Sequence, residues 1–164
     1  MMNTNTLKCI LWGTRSGYPT PSGRLDGALL DLVLLAVRVY IAWIFLKSGL
    51  TKIEDWDTTV ALFQDEYQVP VLSPYLAALL GTAGELIFSV MLIVGFLGRW
   101  AALGLFLVNA MAVISYPQLF EFECTAAVQT NFYWGAGLLI LFVTGAGRIS
   151  VDWLLNKRMN GCAN

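Results

Sequence analysis

Arg38 and Glu85 are the residues best placed to do chemistry, because each stands in a long run of otherwise apolar residues. A charge in hydrocarbon costs at least about 2.5–3.5 kcal/mol, so each needs a partner or water. Counted from the helix ends at about 1.5 Å per residue, Arg38 lies about 13 Å deep and Glu85 about 18 Å, a difference that an arginine side chain covers. The spacing therefore predicts that the two pair with each other. Such a couple is a membrane-embedded site for a polar head, for example a quinone carbonyl or a small acid, or a proton relay. The competing reading is a buried ion pair that fixes helix register. Asn109, in a third apolar run, either joins this intramembrane polar site or joins helices by a hydrogen bond worth about 1 kcal/mol, and Tyr40 and Trp43 are the expected walls for a quinone ring.

Other chemistries are excluded by residue type. The chain has no histidine, which removes proximal-histidine haem, histidine-ligated copper or zinc, and the commonest general base. Cys9, Cys124 and Cys162 lie far apart without CxxC spacing and read as three unrelated thiols, so no metal site is expected. A net charge of −1 offers no basic field to a nucleic acid. There is no glycine-rich dinucleotide-binding pattern either, so the expected cofactor is at most a quinone and any electron transfer calls for a partner subunit.

The elements that must position these residues follow from composition. Of 164 residues, 57% are hydrophobic and 13% charged, and the mean hydropathy is +0.66; a soluble domain has about a quarter charged residues. No charge occurs over residues 100–120 or 124–147, and about 20 apolar residues cross a bilayer as a helix. The expected fold is all-α, a bundle of four transmembrane helices over residues 29–50, 75–97, 100–116 and about 128–144. Pro74 precedes the second, Pro117 stops the third, and Gly145 with Gly147 closes the fourth. Residues 53–69 mix five carboxylates with Trp56, Val60, Phe63 and Tyr67 at helical spacing, which reads as a short interfacial helix or as a solvated loop. An amino-terminal arm (residues 1–27) and a tail (156–164) flank the transmembrane domain (28–155).

At 100° per residue, Asp31, Arg38, Ala42, Phe45, Gly49 and Lys52 share one stripe of the first span. Gly81, Thr82, Glu85 and Ser89 form a small polar face on the second, and the two faces are expected to meet. Lys47 points elsewhere and snorkels to the headgroups. Orientation follows the lysines and arginines: Lys8, Arg15, Arg24, Arg99, Arg148, Lys157 and Arg158 fall on one side and Lys52 on the other, which places both termini in the cytoplasm.

The ordered set Arg38, Phe45, Gly49, Leu50, Lys52, Trp56, Val69, Pro70, Glu85, Gly95, Arg99, Gly147, Arg148, Ser150 and Asp152 resembles the DoxX family of small bacterial membrane proteins over about residues 30–155. The resemblance implies a four-helix inner-membrane protein tied to quinone-linked sulfur oxidation or to thiol and oxidative-stress complexes, with Arg38, Lys52, Glu85, Arg99 and Asp152 as family polar positions. Three functions compete: a quinone-facing subunit of an oxidoreductase complex, a scaffold or assembly factor without chemistry, and a small transporter that would need a homo-oligomer to enclose a path.

Overall fold

The computed structural model describes residues 24–67, 69, 71–116 and 126–159, and every regular element among them is a helix. The elements are α1 (Arg24–Glu54), α2 (Trp56–Asp65), α3 (Pro74–Val94), α4 (Gly98–Ser115), α5 (Ala126–Thr144) and α6 (Val151–Met159). Three of them, α1, α3 and α4, are long and apolar enough to cross a membrane. The helix expected as a fourth crossing is α5, which packs along α4. Cys9, Cys124, Cys162 and most of the amino-terminal arm lie outside the described residues.

Local chemistry explains the boundaries. Ser73 caps α3 by accepting from the Leu76 N–H at 3.4 Å, and Pro74 takes the first helical position, where the absent N–H is not missed. Asp55 caps α2, accepting from the Thr58 N–H at 3.1 Å and its hydroxyl at 2.7 Å, and these bonds hold its carboxyl below the usual carboxylate range. The α3–α4 turn reverses the chain within a few residues through Gly95, at φ +74°, and Leu97, at φ +48°.

The core joins Leu34, Ile41, Ala42 and Phe45 of α1 to Leu92, Leu105, Leu138 and Leu141 of the other long helices. Helices approach closely where one presents a glycine: Gly49 meets Leu86, Gly104 meets the Phe88 ring, and Gly137 meets Ile41. Small residues at such crossings give the van der Waals contact that drives association in lipid. The outward faces carry Leu32, Trp43, Leu80, Ile87, Leu107 and Ile140, all exposed. A belt of that size is a lipid-facing surface rather than a water-facing one.

Within the segment 53–69, Trp56–Asp65 form the short helix α2. Its apolar side, Phe63 with Val60 and Trp56, packs on Ala77 and Ala78 of α3. The Thr59 hydroxyl donates to the Lys52 carbonyl at 2.9 Å and ties α2 to the end of α1.

Gly95 carries two constraints at once: a left-handed backbone, and an added Cβ that would lie 2.7 Å from Ser150 Cβ and 2.9 Å from Arg38 Nη1. Gly95→Ala is expected to cost about 1–3 kcal/mol. Gly27→Ala, where an added Cβ meets nothing within 4 Å, is expected to be neutral or slightly stabilising. Thermal unfolding of the detergent-solubilised protein checks both.

Candidate functional site

The buried charged residues, Arg38, Asp152 and Glu85, fall into two clusters. The first gathers the amino-terminal half of α1, the α3–α4 turn and the start of α6. Arg38 is 2% exposed. Its guanidinium donates from Nη1 to the Ala146 carbonyl at 2.5 Å and from Nη2 to the Ile149 carbonyl at 2.9 Å and the Ile93 carbonyl at 3.4 Å. These oxygens belong to the last turn of α3 and to the segment that follows α5, where carbonyls lack intrahelical donors and carry partial negative charge. Arg38 therefore serves the ends of two helices from the side of a third.

Asp152 completes this clamp. Its Oδ1 accepts from the Leu97 N–H at 2.8 Å and its Oδ2 from the Gly98 N–H at 2.9 Å, so it caps α4 from a distant helix where Leu97 offers no side-chain cap. Burial pushes the Asp152 carboxyl upward, while the two N–H donors and the Arg38 charge oppose that. Ser150 holds the carboxylate in place by starting α6: its hydroxyl donates to the Gly147 carbonyl at 2.7 Å and accepts from the Trp153 N–H at 3.3 Å. Asp31 accepts from the Arg148 N–H at 3.2 Å and closes the same corner.

The second cluster lies where α1 ends, under α2. Lys52 Nζ donates to Glu85 Oε1 at 2.5 Å and to Ser48 Oγ at 3.2 Å. Glu85, 6% exposed, faces the Gly49 level of α1. A cavity of about 220 Å³ opens beside the pair, lined by Phe63, Tyr67, Ala77, Gly81, Val108 and Ser115 among others. Glu85 Oε2 and Ser115 Oγ are buried without a hydrogen-bond partner among the described residues. Leu80, Leu107 and Met111 border the cavity and are exposed, so its rim meets the lipid-facing surface. Tyr67 stacks between Phe63, centroids 4.6 Å apart, and Tyr116, 5.0 Å apart. Burial first, and then the Glu85 charge, raise the Tyr67 phenol above its ordinary value.

The expected Arg38–Glu85 pair is thus corrected. The two helical faces do meet, but Glu85 pairs with Lys52, and the hydrogen bonds of Arg38 go to carbonyls. Helical side chains lean toward the N-terminus of their own helix. On antiparallel α1 and α3 that sends Arg38 and Glu85 in opposite directions. Asn109 joins neither cluster: it is buried, packs on Gly135 and donates to the Asn131 carbonyl at 3.0 Å, linking α4 to α5. Tyr40 and Trp43, 66% and 54% exposed, face outward and line no cavity with Arg38. Lys47 is also exposed. Arg99 is half-buried, and its Nε has no hydrogen-bond partner among the described residues. Tyr67 and Ser115 went unnoticed as site residues; the small positions Ala77, Ala78 and Gly81 were the signal that something packs there. Among the described residues no cluster of metal-ligating side chains occurs.

An uncharacterized protein of Haemophilus influenzae is 30% identical to this chain, over 82% of this chain and 90% of that protein. No solved structure matches the chain. The DoxX family matches residues 33–118, a stretch that holds Arg38, Lys52, Glu85 and Arg99 and stops before Asp152. Matched over more than half its length and built of spanning apolar helices, this chain is a multi-pass membrane protein and belongs to the DoxX family.

Proposed function

We propose that this protein is a four-span inner-membrane subunit of a quinone-linked oxidoreductase system in sulfur, thiol or oxidative-stress metabolism, and that the quinone ring sits in the cavity beside Lys52 and Glu85. The observation that carries this reading is an apolar cavity, bordered by lipid-facing residues, two of whose lining side chains, Glu85 and Ser115, each bury a polar atom with no hydrogen-bond partner among the described residues. An apolar cavity of about 150 Å³ accommodates benzene, so about 220 Å³ holds a substituted ring. Lys52, Tyr67 and Ser115 supply donors for ring oxygens, and Phe63 with the apolar lining holds its faces. In this arrangement α5 is the fourth crossing, α2 rests at the outer surface, and both termini are cytoplasmic, in keeping with the distribution of lysine and arginine. The ring supplies two-electron redox chemistry when bound; the chain's own residues bind it, orient it and exclude water, and electrons arrive from a partner subunit or directly from the substrate.

The scaffold reading has one specific observation in its favour. Arg38 and Asp152, two of the family polar positions, spend their hydrogen bonds on helix ends.

A photoreactive quinone added to membranes separates the two readings. Labelling is expected in peptides spanning residues 74–85 and 107–115, suppressed by unlabelled quinone. Labelling confined to the outward face of α1 around Tyr40 and Trp43, and unaffected by competitor, would overturn the quinone site.

A further inference from the structure

We infer that the cavity selects the hydroxyl-bearing, reduced form of its ligand, a quinol, through the free oxygen Oε2 of Glu85; this rests on the quinone site proposed above and names the redox state that it holds. The argument begins with the valence of each wall atom. Glu85 Oε1 accepts from Lys52 Nζ at 2.5 Å. A carboxylate paired in this way is an acceptor and nothing else. Its second oxygen is buried with no donor among the described residues, in a side chain that lines the cavity, and an unmet charged acceptor in an apolar surround is among the costliest groups to leave alone.

The ligand that relieves it must bring an N–H or O–H. A quinone ring has carbonyl oxygens only, which set lone pair against lone pair at Oε2. A quinol donates a phenolic O–H there. The remaining polar wall is compatible with either form, because Ser115 and Tyr67 hydroxyls both donate and accept. Two of the three Lys52 N–H donors are already spent on Glu85 and Ser48. The bias therefore comes from one atom. The rest of the lining, Phe63, Leu72, Ala77, Leu80, Leu107 and Val108, is apolar and treats the two redox forms alike.

The experiment measures binding of three compounds to the purified full chain in phosphatidylcholine nanodiscs: a short-chain benzoquinol kept reduced under anaerobic conditions, the matching quinone, and the quinol's dimethyl ether. The quinol is expected to bind about tenfold tighter than either of the others, the usual worth of a hydrogen bond to a charged acceptor. In Glu85→Gln, whose amide also donates, the preference is expected to vanish or invert. Ser115→Ala is expected to weaken quinol and quinone together and leave their ratio unchanged; it serves as the reference where Glu85→Gln is not recovered folded. Equal binding of all three by the native chain overturns the selection and leaves the ring site standing. Binding of none, or displacement of the quinol by diacylglycerol at equal concentration, overturns the ring site and this inference with it.

Discussion

Replacing Arg38 by methionine is expected to destabilise the bundle by about 3–5 kcal/mol, the range seen when one member of a buried charged network is removed. The arithmetic follows from what the side chain serves. Its fork holds carbonyls of Ala146 and Ile149, with a longer reach to Ile93, at 2% exposure. Without it those oxygens lose their donors, and the Asp152 carboxylate loses the positive charge that offsets its burial. Arg38→Lys is expected to recover part of the loss only, because one ammonium does not reproduce the planar fork. The measurement is unfolding of the purified protein in mixed micelles, followed by tryptophan fluorescence. Quinone photolabelling of the folded Arg38→Lys protein should be unchanged, since Arg38 lines no part of the cavity. A stable Arg38→Met protein that has lost labelling would reverse the assignment of the two clusters.

How much of this was legible beforehand depends on which physical rule applied. Three of the expected spans, α1, α3 and α4, were legible because hydrocarbon demands uninterrupted apolar length, and the meeting of the Arg38–Lys52 stripe with the Glu85 face was legible because small residues line both. The partner of Glu85 was not. Depth was counted along the axes from Cα to Cα, and the opposite lean of side chains on antiparallel helices turned a small difference into separate clusters. Lys52 stood on the right stripe, yet its place near a helix end marked it as a flanking charge. The Arg38 clamp was hidden for a different reason. Its acceptors are backbone carbonyls after α5, which carry no residue-type signal, and Asp152 reaches α4 only through a turn set by Gly147 and Ser150. Likewise the spacing of Val60, Phe63 and Tyr67 left a helix and a solvated loop both open, the helix that forms ends at Asp65, and the cavity depends on what that helix covers.

The Lys52–Glu85 couple divides structure from function more sharply, since one partner, both, or neither can be removed. Lys52→Met alone leaves a carboxylate buried without its cation and is expected to cost about 3–5 kcal/mol. Lys52→Met combined with Glu85→Met removes both charges and fills similar volume, and such exchanges are often neutral or stabilising. The double variant is therefore expected to unfold within about 1 kcal/mol of the native chain and to lose quinol binding by more than about tenfold. A bundle that is held by this pair would show the reverse order, with the double variant as unstable as the single one. A double variant that is stable and still binds the ring would mean that the buried charges serve neither purpose, and the scaffold reading would then take the place of the quinone site. The native side chains favour the first outcome: at 2.5 Å one carboxylate oxygen is served by Lys52, while its neighbour Oε2 is buried with no donor among the described residues. A pair that only holds two helices together has no reason to leave that oxygen unserved in a side chain that lines a cavity.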